Sequence, residues 1–131
     1  TCTPMGGRLL RRWLHRPLRD HGILRARHDA VGLLIDTGAH EPLREALRGF
    51  GDVERILTRI ALRSARPRDL STLRDALRAA PALRDLLAPL DAPRLNALAA
   101  ELGEHGAVTD LLVRAILPQP PVLMRDGGVL C

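Results

Sequence analysis

The chain has 131 residues, enough for one domain with one modest core. Trp13 and Phe50 are its aromatic residues and Tyr is absent, so a core must come from Leu, Ile, Val and Ala, which suits helix-on-helix packing. Net charge is +5, held as +7 over residues 1–68 and −2 over residues 69–131, so any anionic partner is expected to meet the first half.

All 20 basic residues are Arg. Lys is missing from the whole chain rather than from one patch, which fits genomic base composition better than selection for forked contacts. No apolar run approaches the ~20 residues of a membrane span. Cys2 and Cys131 lie at opposite ends without a CxxC pair, which argues against a zinc site or a disulfide framework. No signal peptide is visible, and a reduced, cytoplasmic setting is expected. The chain begins without Met and stops within Val129-Leu130-Cys131, so it reads as a segment of a longer protein.

Thr3-Pro4 reads as an N-cap followed by Pro at the first helical position. Leu9, Leu10, Trp13 and Leu14 then share one face, Arg8, Arg12 and Arg16 form a second stripe, and Pro17 ends the helix. Gly6 and Gly7 in the first turn are read as permitting close helix packing. Asp20 caps a second helix with an apolar face of Ile23, Leu24, Val31, Leu34 and Ile35, stopped by Thr37-Gly38. A short third helix begins at Glu41-Pro42 and buries Leu43, Ala46 and Leu47. Asp52 caps a fourth, whose inner face is Val53, Ile56, Leu57 and Ile60, with acids first and Arg later, complementing the dipole.

Pro67 separates this from a fifth helix with Leu70, Leu73, Ala76 and Leu77 inward. Pro81 either breaks that helix or starts a continuation through Leu83, Leu86 and Leu87. Asp91 and Pro93 open a sixth helix carrying Leu95, Leu98 and Leu102, and a last one covers about Ala107 to Leu117. Pro118, Pro120 and Pro121 exclude helix beyond. Val122-Leu123-Met124 and Val129-Leu130 flank Arg125-Asp126-Gly127-Gly128, a hairpin-like turn signal.

Catalytic constellations do not emerge. A phosphate-binding loop of the Walker type needs a Lys that this chain lacks. His15, His21, His28, His40 and His105 contain no HExxH pattern and no i, i+4 pair. The carboxylate pairs Asp52/Glu54 and Glu101/Glu104 are explained by capping and solvated faces. Ser64 and Ser71 do not lie in a nucleophile elbow. The best candidate for a partner surface is the stripe Arg8, Arg12 and Arg16, flanked by Arg11 and Arg19, because residues 1–19 contain no acid. It suits DNA-backbone contact, which is sequence-blind and salt-sensitive, or contact with another domain. Pairing with acids such as Asp20, Glu41 or Glu45 is the alternative.

Several stretches in order resemble the core region of the MutS family of DNA mismatch-repair proteins. They are Thr3-Pro4-Met5-Gly6, Arg8-Leu9-Leu10, Trp13-Leu14 and Pro17-Leu18, then RHDAVGLL from Arg27 to Leu34. Asp52, Glu54-Arg55, the ARPRDL run from Ala65 to Leu70, and Asp126-Gly127-Gly128-Val129 follow. The resemblance implies the first part of a helical lever between a DNA clamp and an ATPase. It also implies that mismatch reading, DNA grip and ATP hydrolysis reside in other domains. ATP and Mg would then be cofactors of the parent protein, with none in this segment. Mismatched duplex DNA, a MutL-type protein and the other MutS domains would be its partners, within a bacterial homodimer.

The resulting expectation is an all-α, irregular multi-helix bundle over residues 1–131 with a short extended or hairpin-like C-terminal tail. Catalytic and metal residues are not expected within it. The alternative is a freestanding basic helical module that binds nucleic acid or an acidic protein partner.

Overall fold

A computed structural model of the chain describes residues 1–121 and 128–130. Among the described residues there are seven helices: α1 (Pro4–His15), α2 (His21–Asp36), α3 (His40–Arg48), α4 (Val53–Ala61), α5 (Pro67–Leu87), α6 (Pro93–Glu101) and α7 (Gly106–Ala115). The all-α class expected from the sequence is the class observed.

Local chemistry sets most of the boundaries. The Gly6 N–H donates to Thr3 Oγ1 at 3.0 Å, and the Ile23 N–H to Asp20 Oδ1 at 3.0 Å, so each capping side chain satisfies a backbone donor that its helix cannot. At α5, the Arg66 N–H donates to Asp69 Oδ2 at 2.9 Å, an acid at the third helical position reaching back to the cap. α2 stops one residue before Thr37, and Gly38 follows with φ +70, a conformation in which Cβ would be strained.

The apolar residues assemble into two clusters. One gathers Ala30, Leu87, Leu90, Ala92 and Leu95, flanked by Leu33, Leu34, Leu43 and Leu98 from α2, α3 and α6. The other gathers Ile56, Leu73, Leu112 and Ile116, flanked by Val53, Leu70 and Leu77. α5 supplies Leu73 to one and Leu87 to the other, roughly 20 Å apart along the helix axis at 1.5 Å per residue. It packs directly against α3, α4, α6 and α7. Where α5 meets the chain before α4 the approach is close: a Cβ added at Gly51 would fall 2.2 Å from Thr72 Cγ2. Thr72 cannot simply turn away, because its hydroxyl donates to the Arg68 carbonyl at 2.8 Å.

Pro81 does not break α5, which runs through it as one helix. Pro81 is exposed, and the Leu77 carbonyl four residues before it loses its helical donor without ending the helix. Four readings of the inner faces need correction. On α3, Leu43, Ala46 and Leu47 are half-buried and no residue is fully buried. On α2, Ile23, Val31 and Ile35 are exposed, while Ala30 is buried and Leu33 and Leu34 pack beside it. The periodicity was right and the phase was rotated by about one residue. On α4, Ile56 is 3% exposed but Leu57 is 52% and Ile60 37% exposed, so Leu57 and Ile60 lie outside the core. On α1, Leu9, Leu10 and Leu14 are all exposed and no residue is buried. The glycines of α1 do not mediate helix packing either: a Cβ at Gly6 would meet Thr3 and Thr1, and at Gly7 only Thr1.

The last helix ends at Ala115, two residues earlier than expected, because Ile116 turns to extended backbone. Ile116 forms an isolated antiparallel bridge with Leu130, and the Leu117 N–H donates to the Val129 carbonyl at 3.2 Å. The tail therefore folds back against the end of α7. The expected turn at Arg125–Gly128 and the segment Val122–Met124 lie almost wholly outside the described residues.

The contrast on α4 gives a stability test. Ile56→Ala should destabilise the domain by ~2–5 kcal/mol, whereas Leu57→Ala should cost under ~1 kcal/mol. Denaturant titration of the two variants under one condition measures both.

Candidate functional site

Arginine organises the polar surface of this domain, and the three stripe residues have different fates. Arg8 turns towards the start of α4. Its Nη1 and Nη2 donate to Asp52 at 2.8 and 2.6 Å, and its Nε and Nη2 donate to Glu54 at 3.1 and 2.7 Å. Asp52 also accepts the Arg55 N–H at 3.3 Å, so one carboxylate both caps α4 and anchors α1. Arg11 and Arg12 remain exposed on α1, Arg16 is exposed just past its end, and Arg19 is exposed in the loop that follows. The structure thus joins Arg8 to acids of α4, not to Asp20, Glu41 or Glu45. The partners are 44 and 46 residues away, a pairing that helical periodicity cannot foretell.

A second tie holds α1 to α2. The Arg27 guanidinium lies over the Trp13 ring, 3.6 Å from its centroid. Arg27 Nε is buried and finds no hydrogen-bond acceptor among the described residues, so the indole face is what offsets its lost hydration. α1 is held by these polar and aromatic contacts, without a buried apolar residue of its own.

At the α4–α5 corner, Arg59 grips Asp69 with Nε and Nη2 at 2.8 and 2.6 Å. Burial works to raise the Asp69 pKa, and the hydrogen bonds from Arg59 and the Arg66 N–H more than offset it, leaving the carboxyl below its ordinary range. Asp69 belongs to the ARPRDL run that carries part of the family resemblance.

The sequence reading missed Arg74. It is 6% exposed, a charged residue within the fold. Its Nη1 donates to the Ile116 and Leu117 carbonyls at 3.2 and 3.1 Å, its Nη2 to the Pro118 carbonyl at 3.2 Å, and its Nε to Asp75 at 2.9 Å. A signal was present: Arg74 lies between Leu70, Leu73 and Leu77 on one helical stripe, where a charge must find partners.

Surface grooves of about 440 and 500 Å³ flank α5. The first lies beside Pro81, where Arg84 and Glu104 form an ion pair at 3.6 Å. The second is walled chiefly by leucines. Among the described residues, no three His, Cys, Asp or Glu side chains come together as a metal cluster would require. No described helix is long and apolar enough to cross a membrane.

The Arg8 fork holds the Asp52 carboxyl down to about 2 from its ordinary 3.8; burial opposes this, and the Arg55 N–H adds to it. A carboxyl whose pKa is lower in the folded state contributes stability that is complete above the unfolded value and lost as pH falls. The stability difference between the native chain and Asp52→Asn should therefore be full above about pH 4, shrink between 4 and 2, and vanish below. Thermal melts of both proteins across that window measure it.

The described geometry is thus an assembly of helix caps, arginine forks and shared cores, and its ordered landmarks are the stretches quoted above from Thr3 to Leu70. The chain matches the family model described as MutS domain III over residues 1–131, its whole length. It belongs to the MutS family of DNA mismatch-repair proteins, as domain III of that family.

Proposed function

We propose that this domain is the mechanical link of a mismatch-recognition ATPase, coupling a DNA clamp to the site of ATP hydrolysis. The match to MutS domain III over the whole chain carries this reading. A domain in which one helix is packed into two separate cores supports it. Close-packed interiors shift between discrete arrangements rather than deform continuously, so a displacement at one end reaches the other. In this reading mismatched duplex, ATP and Mg are bound by other domains, a MutL-type protein is a partner of the whole, and the parent protein is a cytoplasmic homodimer. The residues of this domain act by transmitting force.

A second reading is favoured by α1. Arg12 on α1 and Arg16 at its C-terminal cap are exposed in a stretch with no acid, and they suit direct contact with DNA phosphates, as they would in a freestanding basic module. Replacing both by Gln should lower the slope of log K against log salt for duplex binding by about two, near 0.9 for each lost phosphate contact. An unchanged slope assigns these arginines to an interdomain contact instead.

The coupling reading is tested in the full-length protein. Ile56→Ala, shown to be folded but softened, should slow ATP-dependent release from mismatched duplex by about two- to thirtyfold, the range expected when a coupling path loses ~0.5–2 kcal/mol. ATP hydrolysis without DNA should persist. Normal release in a demonstrably softened variant would count against it.

A further inference from the structure

We infer that Arg74 is a positioning residue: a latch that fixes the path of the chain leaving α7 and carries its displacement into α5. The inference about coupling rests on the reading above, whereas the latch itself rests on geometry alone.

The segment after α7 is poorly equipped to satisfy its own backbone. Pro118, Pro120 and Pro121 have no N–H, so they can neither continue the helix nor form a ladder. Their neighbours' carbonyls still need donors where they are buried, and Ile116 and Pro120 are buried. Arg74 answers this with a planar fork. Three consecutive carbonyls, of Ile116, Leu117 and Pro118, accept from its two terminal nitrogens. The same positive charge sits just beyond the C-terminal end of α7, where the helix dipole favours a cation. Asp75 takes the remaining Nε–H, so the donor geometry is fixed on both sides.

The opposite edge of this segment is joined to the returning chain. The Leu117 N–H bonds the Val129 carbonyl, and Ile116 bridges Leu130. Leu117 thus offers its carbonyl to α5 and its N–H to residues 128–130. Among the described residues, every hydrogen bond from residues 116–118 to α5 is donated by Arg74. A pull on residues 128–130 reaches α5 through this guanidinium, the polar route, and through Ile116, which packs with Leu73 in the second core.

Two variants separate the parts of the claim in the full-length protein. Arg74→Met removes the fork. Leu117→Pro leaves the fork in place and removes the N–H that joins Val129; Ile116, at φ −114 and ψ 127, already has the backbone that a following Pro requires. Amide exchange at Leu117, whose N–H bonds the Val129 carbonyl, is expected to rise roughly tenfold or more in Arg74→Met, while the rest of α5 stays protected. ATP-dependent release from mismatched duplex should slow in both, with DNA-free hydrolysis retained. Arg74→Lys, which keeps the charge but not the fork, should recover only part of the protection.

Unchanged exchange at Leu117 in Arg74→Met overturns the latch. Raised exchange with normal release, where Ile56→Ala does slow release, means that coupling takes another route, and the proposal fails while the function stands. Normal release in all three variants sinks the coupling function itself.

Discussion

Two apolar clusters, each too small to order a domain alone, share a single helix. Every other major packing relation follows from that constraint. α4 and α7 close over the end of α5 that carries Leu73; α3 and α6 pack against α5, and α2 packs on α6 beside the cluster that holds Leu87. A 21-residue helix is stiff along its axis, so the distance between the clusters is set by covalent geometry. The close approach of Gly51 to Thr72 fixes how deeply the chain before α4 sits against that helix.

Arginine then does at the surface what leucine does inside. Arg8, Arg59 and Arg74 each engage two or more oxygens with a planar fork; Arg8 joins α1 to the start of α4, and Arg59 and Arg74 reinforce contacts that the second core also makes. The dependence is greatest for α1, whose leucines face outward. Its position is determined by an ion pair at one end and a stacked guanidinium at the other. A lysine at these positions would supply charge without the paired geometry.

Local features of this fold were legible in the sequence because they are governed by neighbours in the chain. Thr3, Asp20 and Asp52 cap the helices assigned to them, and Pro17 and Pro67 bound the elements they were expected to bound. The ordered motifs from Thr3 to Leu70 were enough to identify the family. What periodicity could not provide was phase. Leu57 and Ile56 are adjacent, and only the tertiary arrangement decides which one faces Leu112 and Ile116. Apolar stripes on α1 and α2 were read as buried because hydrophobicity shows that a face can be covered, not that this chain covers it. The partners of Arg8 and Arg74 lie more than 40 residues away, beyond any local pattern. Arg74 was readable as an anomaly, a charge within a leucine stripe, but its acceptors were backbone carbonyls and carry no side-chain signature.

The stacking of Arg27 on Trp13 has an optical consequence. Trp13 is the sole indole of the chain, and Tyr is absent, so near-ultraviolet absorbance and emission of this domain arise almost entirely from the α1–α2 junction. A cation held against the ring shifts its excited-state charge distribution, and separating α1 from α2 exposes the same ring to water. The domain carries its own spectroscopic gauge, one that records the seating of α1 without any attached dye.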